Sequence, residues 1–162
     1  MRPDHETIFL AQAVLSSQRG TCRRRKVGCV LVDRHNHVLS TGYNGGASGE
    51  PHCLDVPCAG ADLPSGTGLS TCEAIHAEAN ALLQCKDVHA IVTAYVTASP
   101  CTDCVKLLLN TSCRRVVALK PYTHDAASRA RWERAGREWL VVSQETRDAV
   151  AIALLEAAKQ CS

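Results

Sequence analysis

The chain has 162 residues, 46% of them hydrophobic and 21% charged, which is enough apolar length for the core of one domain. A formal net charge of +2 argues against a broad nucleic-acid-binding surface and is better suited to a small anionic ligand. The N-terminal segment is too polar for a signal peptide, and no run of about eighteen apolar residues is present. We therefore expect a single domain over residues 1–162 in the cytoplasm, with neither membrane nor nucleic acid as a partner.

The first third of the chain predicts one helix and a β-hairpin. Ile8, Ala11 and Leu15 follow a helical spacing over residues 5–18, and Asp4 is available as the helix cap. The apolar run VGCVLVD predicts a strand that is covered on both faces. RHNH then turns the chain into VLSTGYN, so these two strands are expected to pair as a hairpin.

An insertion at about 45–72 is rich in glycine, proline and serine and has no periodicity. It is too long for a plain loop in a compact domain, so it is either disordered or held by something other than an apolar core. Cys53, Cys58 and Cys72 lie in or at the end of this insertion and suggest how it is held.

The rest of the chain alternates between helix and strand. In order, the segments are a helix at EAIHAEANALLQC, a strand at AIVTAYVTA, a helix at CTDCVKLLLNT, a strand at RRVVALK, a helix at AASRARWERAG, a short strand at REWLVVS and a C-terminal helix at about 144–160. Such alternation after a hairpin predicts an α/β fold, in which a mixed sheet carries helices on both faces.

His76 and Glu78 are two residues apart, so they do not face each other along a helix. Their spacing is explained if both side chains lie in the first turn of a helix and converge on a metal ion just beyond the end of that helix. In SPCTDC, Cys101 and Cys104 lie on one face at the start of the next predicted helix. One nitrogen and two sulfurs leave the fourth position of tetrahedral zinc for water, as in catalytic sites. Zinc lowers the pKa of that water to roughly 7, and Glu78 can then carry its proton to the ring nitrogen and the leaving amine.

The alternative is that Cys101 and Cys104 are half of a structural zinc site and that His76 is an ordinary helix residue. The joint pattern of His-Ala-Glu followed by Pro-Cys-x-x-Cys is far more specific than a lone Cys-x-x-Cys. It is typical of zinc-dependent base deaminases.

The sequence resembles the deoxycytidylate (dCMP) deaminases of the cytidine deaminase superfamily from about Ile8 to Val142. The matching segments are CRRRKVGCVLVD, STGYNGG, EPHCLDVPC, IHAEANAL, AYVTASPCTDCVK and AGREWLVV. The resemblance implies a three-layer α/β/α sandwich with a mixed central sheet of about five strands. It also implies zinc-dependent hydrolysis of the 4-amino group of dCMP to give dUMP and ammonia, usually by a homohexamer. His76, Cys101 and Cys104 match the catalytic zinc ligands, and Glu78 matches the proton shuttle.

Several residues are candidates for holding the nucleotide. Asn44 matches the family's asparagine that hydrogen-bonds the sugar, although YNGG is also an ordinary turn sequence. Arg24 and Lys26 are candidates for the 5′-phosphate, which needs cationic donors in a fixed place, but either side chain is equally well explained as solvated surface.

Three further candidates lie near the predicted active site. Tyr122 resembles a family tyrosine that closes over the nucleotide, with His124 as a weaker candidate. Ala77 has a small side chain that allows the helix end to pack close to the pyrimidine.

Some dCMP deaminases, which this chain resembles, carry a second, structural zinc. Cys22 and Cys53 match positions of its ligands, and Cys58 and Cys72 would complete a closed four-cysteine site, with His52 as a possible replacement for one of them. We therefore expect one catalytic and one structural zinc ion. The remaining cysteines are expected to be core or surface thiols: Cys29, Cys85, Cys113 and Cys161.

Other functions remain open at this point. A tRNA adenosine deaminase or a free cytidine deaminase shares the zinc motifs, and dCMP modified at C5 is a further possible substrate. A zinc-binding module without activity is the alternative from a different class, but it has no use for Glu78. The stretch LLQCKDVH lacks the aromatic residue and the arginine with which many relatives bind regulatory dCTP or dTTP.

Overall fold

The computed structural model describes residues 2–64, 66–123 and 125–160. Within these residues, five strands form one sheet in the order β2-β1-β3-β4-β5. The strands are β1 (Gly28–Val32), β2 (Val38–Tyr43), β3 (Thr93–Val96), β4 (Arg115–Ala118) and β5 (Glu138–Val141). The helices are α1 (His5–Ser17), α2 (Ala77–Gln84), α3 (Thr102–Leu109), α4 (Ala126–Arg134) and α5 (Gln144–Gln160). Because β1 runs antiparallel to β2 and β3 while β3, β4 and β5 are parallel, the sheet is mixed, as predicted.

Both faces of the sheet are covered, which explains why all five residues of β1 are buried. Successive side chains of a strand point to opposite faces. Cys29 and Leu31 pack in a cluster with α2, α3 and α4, whereas Val30 and Val32 pack in a second cluster with α1 and α5. The fold is therefore a three-layer α/β/α sandwich, and the predicted fold class is confirmed.

Helix α1 begins where its sequence predicted. The Asp4 carboxylate accepts a hydrogen bond from the Thr7 backbone N–H at 2.7 Å, which satisfies one of the donors left open at a helix start. Phe9, Leu10 and Ala13 then bury the inner face of the helix against the sheet.

Helix α2 begins at Ala77, four residues later than its sequence pattern suggested. Ile75 is extended because it pairs with Gly45 in an isolated bridge, through N–H···O distances of 3.1 and 2.8 Å. His76 therefore occupies the N-cap position rather than the first turn. This bridge also connects the end of β2 to the start of α2.

Helix α5 packs against α1 and buries Val150. Its Ile152 and Leu155 side chains, by contrast, are 59% and 63% exposed. In the described part of the chain, no helix is both long and apolar enough to cross a lipid bilayer.

One edge of the sheet collects the chain segments that carry the candidate site. Because β1 is antiparallel to β3, the start of β1 lies beside the end of β3, with Cys29 opposite Val96. The Gly28 N–H donates to the Thr97 hydroxyl at 3.1 Å, and the Ser99 N–H donates to the Lys120 carbonyl at 3.0 Å. The segments that precede β1 and follow β2, β3 and β4 therefore meet at this edge.

Candidate zinc centre and active site

The side chains of His76, Cys101 and Cys104 meet at this edge of the sheet. His76 Nδ1 lies 3.3 Å from Cys101 Sγ and 3.4 Å from Cys104 Sγ, and one ligand atom from each residue lies within 4.8 Å of the others. A nitrogen and a sulfur bound to the same tetrahedral zinc are about 3.6 Å apart. The donor types and their separations therefore fit a zinc ion.

The three side chains are presented by the N-terminal ends of two helices. His76 is the N-cap of α2 and Cys101 is the N-cap of α3, and neither described side chain makes a capping hydrogen bond to its own helix. Cys104 follows within the first turn of α3. Since helix N-termini carry partial positive charge, both helices favour thiolates at this point.

Contacts within the cluster shift the pKa values of its side chains in different directions. The hydrogen bond with Cys104, together with that to His76, lowers the pKa of Cys101 to about 4, so Cys101 is a thiolate at neutral pH. The same contact with Cys101, and burial, raise the pKa of Cys104. The contact with Cys101 raises the pKa of His76. The cluster thus already holds one anionic sulfur for a cation.

Glu78 lies in the first turn of α2 and is 3% exposed. Burial raises the pKa of its carboxyl group because the charged form loses its hydration. A purely structural site does not need a buried carboxyl group beside His76, Cys101 and Cys104. A carboxyl group with a raised pKa exchanges protons more readily near neutral pH. This geometry suits a proton carrier.

A cleft that is open to solvent leads to the cluster. The candidate metal ligands and their neighbours line the cleft, namely His76, Ala77, Glu78 and Cys101. The candidate nucleotide contacts line it as well, namely Asn44, Arg24, Arg25 and Tyr122. Residues widely separated in the sequence therefore share one cavity.

Asn44 is 6% exposed and ties together the start of β1 and the end of β2. Its Oδ1 accepts from the Val27 N–H at 2.7 Å, and its Nδ2 donates to the Arg25 carbonyl at 2.8 Å. An asparagine amide can make up to four hydrogen bonds, so these two leave capacity for a ligand in the cleft. Asn44 also holds the backbone of Arg25 in place.

The basic run at 23–26 sends its side chains to different places. Arg24 donates to three carbonyl groups of the insertion, those of Gly60 at 3.1 Å, Pro64 at 2.9 Å and Thr67 at 2.9 Å. Lys26 donates to the Gln18 carbonyl at 3.4 Å. The roles of Arg24 and Lys26 at a phosphate stay predictions, and Arg24 visibly holds the insertion as well.

Arg25 is a cleft residue that the sequence reasoning missed. Its guanidinium carbon lies 4.6 Å from the centre of the Tyr122 ring, a cation–π distance. The run Arg-Arg-Arg-Lys indicated a local positive charge, but it did not indicate that Arg25 lies beside Tyr122 in the cleft. His124, the weaker candidate, lies outside the described residues, as does Cys161.

The cysteines of the insertion surround a second, smaller cavity. Cys22, Cys53, Cys58 and Cys72 all line it, and the Cys53 and Cys58 sulfurs are 3.7 Å apart. The four are not as compact as the set at His76. The structure describes nine cysteines, these four and five others, and all nine are free thiols.

Comparisons with known proteins agree with this site. Residues 2–120 match the family model described as the cytidine and deoxycytidylate deaminase zinc-binding region. A deoxycytidylate deaminase of Mycobacterium phage D29 is 40% identical over 122 residues, which cover 72% of this chain and 94% of the relative. The deoxycytidylate deaminase of Schizosaccharomyces pombe is 34% identical over 139 residues, which cover 83% of this chain and 43% of the relative.

One solved structure is similar to this chain over nearly the whole length of both. The dCMP deaminase of cyanophage S-TIM5, crystallised in complex with dCMP and dUMP, is 25% identical to this chain with a TM-score of 0.67. The match covers 88% of this chain and 99% of that one. The fold and the cluster of His76, Cys101 and Cys104 define a deaminase of the cytidine deaminase type. The chain belongs to the cytidine and deoxycytidylate deaminase family, which confirms the resemblance.

Proposed function

We propose that the protein is a dCMP deaminase, which hydrolyses dCMP to dUMP and ammonia in pyrimidine deoxynucleotide metabolism. The observation that carries this proposal is the buried Glu78 carboxyl group beside the cluster of His76, Cys101 and Cys104, in a cleft that is open to solvent. The similarity to deoxycytidylate deaminases of phage and yeast supports the choice of substrate.

His76, Cys101 and Cys104 would hold the catalytic zinc. Such an ion supplies Lewis-acid activation of water, which makes hydroxide available near neutral pH. Glu78 would take up one proton from the attacking water and give it to the pyrimidine N3. It would then take the second proton from the new C4 hydroxyl group and give it to the 4-amino group, which leaves as ammonia while the C4 carbonyl forms. The burial of Glu78 keeps bulk water from exchanging these protons. Ala77 leaves room for the pyrimidine because its side chain is a single methyl group.

The far side of the cleft would hold the sugar and the phosphate. Asn44 would hydrogen-bond the sugar with the part of its amide that Val27 and Arg25 do not use. Arg24 and Lys26 remain candidates for the 5′-phosphate, and the position of Arg25 adds a third cation. Tyr122 would close over the nucleotide while its ring supports the Arg25 guanidinium.

A second zinc would be structural and would be held by Cys22, Cys53, Cys58 and Cys72. Their shared cavity and their thiol donors support this assignment, since a closed four-cysteine set suits structural zinc. His52, whose carbonyl accepts two N–H groups of the turn between Cys53 and Cys58, is the alternative ligand.

Residues 1–162 would act as one catalytic domain, and several chains would assemble. The family usually forms hexamers, and exposed apolar side chains such as Leu83, 77% exposed, and Leu155 support association with further copies. The free thiols are consistent with a reducing, cytoplasmic location.

The test is ammonia release and the ultraviolet change on zinc-loaded protein with dCMP, CMP, deoxycytidine, dCTP and 5-methyl-dCMP in parallel. Selective turnover of dCMP supports the proposal, and turnover of 5-methyl-dCMP extends it to C5-modified nucleotides. Preference for deoxycytidine would indicate a nucleoside deaminase. No turnover with zinc bound would favour a tRNA adenosine deaminase or a binding module.

A further inference from the structure

The cavity at the insertion cysteines shares a wall with the substrate cleft. Cys22, Cys72 and Ala74 line both spaces. The chain runs from Cys72 through Ile75, which is paired with Gly45, directly to the N-cap His76. A change at the insertion cysteines therefore acts on the wall of the cleft and on the segment that leads to the active site.

Cys53 and Cys58 form a close pair in this cavity, with their sulfurs 3.7 Å apart. Both are half-buried, as is Cys72, whereas Cys22 is 6% exposed. The turn between them is open, with Val56 59% exposed. A small oxidant can thus reach this pair at the protein surface, and the two sulfurs need to move by less than about 2 Å to reach the bond length of a disulfide.

We propose that Cys53 and Cys58 form a peroxide-sensitive modification site, whose oxidation to a disulfide releases zinc from the insertion and weakens substrate binding. One sulfur, a thiolate while it holds zinc, is oxidised by hydrogen peroxide to a sulfenic acid, and the hydroxide released takes a proton from solvent to become water. The sulfur of the second cysteine then displaces the hydroxyl group as the S–S bond forms, and this hydroxide also takes a proton from solvent. The pair loses two electrons, and the peroxide, with two protons from solvent, is reduced to two molecules of water.

Disulfide formation removes two of the four sulfur donors. Cys22 and Cys72 alone do not make a closed zinc site, so the ion leaves and the link between the insertion and the cleft wall is lost. The ligands at the catalytic cluster are untouched by this step. Oxidation should therefore raise KM for dCMP more than it lowers kcat. This inference rests on the proposed function, because the wall that it disturbs belongs to the proposed substrate cleft.

The experiment treats the full-length, zinc-loaded protein with stoichiometric hydrogen peroxide. Cleavage at Asp55 places Cys53 and Cys58 in separate peptides, which stay joined only by a disulfide, so mass spectrometry identifies the bond. A chromogenic chelator measures the zinc released. We expect a Cys53–Cys58 link, loss of one zinc per chain, a KM for dCMP raised about fivefold or more, and full reversal by dithiothreitol and added zinc.

Variants separate this site from the other cysteines. Cys85→Ser is the matched control, since Cys85 lies outside both cavities and bonds the Asp87 carbonyl, and it should respond to peroxide as the wild type does. Cys53→Ser should form no such link, even if it folds with less zinc. A first disulfide at Cys101 and Cys104, a linked pair that keeps both zinc ions, or an unchanged KM would each overturn the proposal. The peptide and zinc measurements do not depend on activity, so a failure of the proposed substrate is recognised separately.

Discussion

His76 Nδ1 lies 3.3 Å from Cys101 Sγ, although 25 residues separate them in the chain. Each residue is the N-cap of its helix, so the distance between them is set by how α2 and α3 pack on the same face of the sheet. Changes that shift either helix are therefore expected to affect the metal site even when they are distant from the ligands.

Replacing Glu78 with Gln should reduce turnover of dCMP by about 10²–10⁴-fold, because the amide cannot carry the proton. Zinc content should stay at the wild-type value, since the three proposed ligands of the catalytic zinc are unchanged. Ammonia release and metal analysis on the same sample measure both quantities. Glu145→Gln is the control, because Glu145 is exposed in the first turn of α5 and lines neither cavity. Normal activity of the Glu78 variant would remove this residue from the mechanism.

Replacing Cys58 with Ser should halve the bound zinc and lower the melting temperature, because a closed zinc site contributes directly to folding. The kcat for dCMP should fall less than zinc content, since the proposed catalytic ligands remain, whereas KM should rise. Cys85→Ser, outside this cavity, should keep both zinc ions. Unchanged zinc stoichiometry in the Cys58 variant would contradict the four-cysteine assignment.

Replacing Arg25 with Ala should raise KM for dCMP by about tenfold or more, as expected for a lost hydrogen bond to a charged group. The ratio of dCMP to deoxycytidine turnover reports this effect, because the nucleoside has no phosphate. Arg24→Ala should instead lower thermal stability, since it releases three carbonyl groups of the insertion. Arg134→Ala, on an exposed part of α4, serves as the control. An equal loss on both substrates would argue against phosphate binding by Arg25.

Replacing Gly42 with Ala should destabilise the protein by about 1–3 kcal/mol, the usual cost of overpacking. A Cβ at this position of β2 would run into the backbone of Ala77 and Ala81 in α2. Since α2 carries His76 and Glu78, activity should fall along with stability. Gly46→Ala is the control, because its Cβ would come no closer than 3.4 Å to a neighbour. Urea unfolding of both variants measures the difference.

The cap of α1 predicts a pH dependence of stability. The hydrogen bond from the Thr7 N–H lowers the pKa of Asp4 below its ordinary value of 3.8. The unfolded chain therefore binds this proton first, and the contribution of Asp4 is complete above pH 3.8 and is lost as the pH falls through the folded pKa. Asp4→Asn keeps a capping group but does not titrate, so the difference in unfolding free energy between the two proteins should shrink on acidification. A constant difference would contradict the prediction.

Much of the fold and of the metal cluster was accessible from the sequence, because the relevant signals are local. The apolar run at 28–32 predicted a strand covered on both faces, and β1 has a cluster on each side. The residue types at His76, Cys101 and Cys104 indicated zinc because few other roles need that set of donors. The predicted start of α2 was wrong. Ile75 pairs with Gly45, and helical propensity, which depends on neighbouring residues, does not predict such a long-range contact.

The sequence by itself determined the order of helices and strands and the chemistry of the proposed zinc ligands, since periodicity and side-chain type act over a few residues. Only the tertiary structure decided that Arg25, rather than its neighbours in the basic run, stacks on Tyr122, and that Arg24 holds the insertion. It also decided that Cys22 and Cys72 lie between two cavities. The direction of a side chain in a loop depends on which distant backbone groups can accept its hydrogen bonds, and those groups come together only when the sheet and its helices have packed.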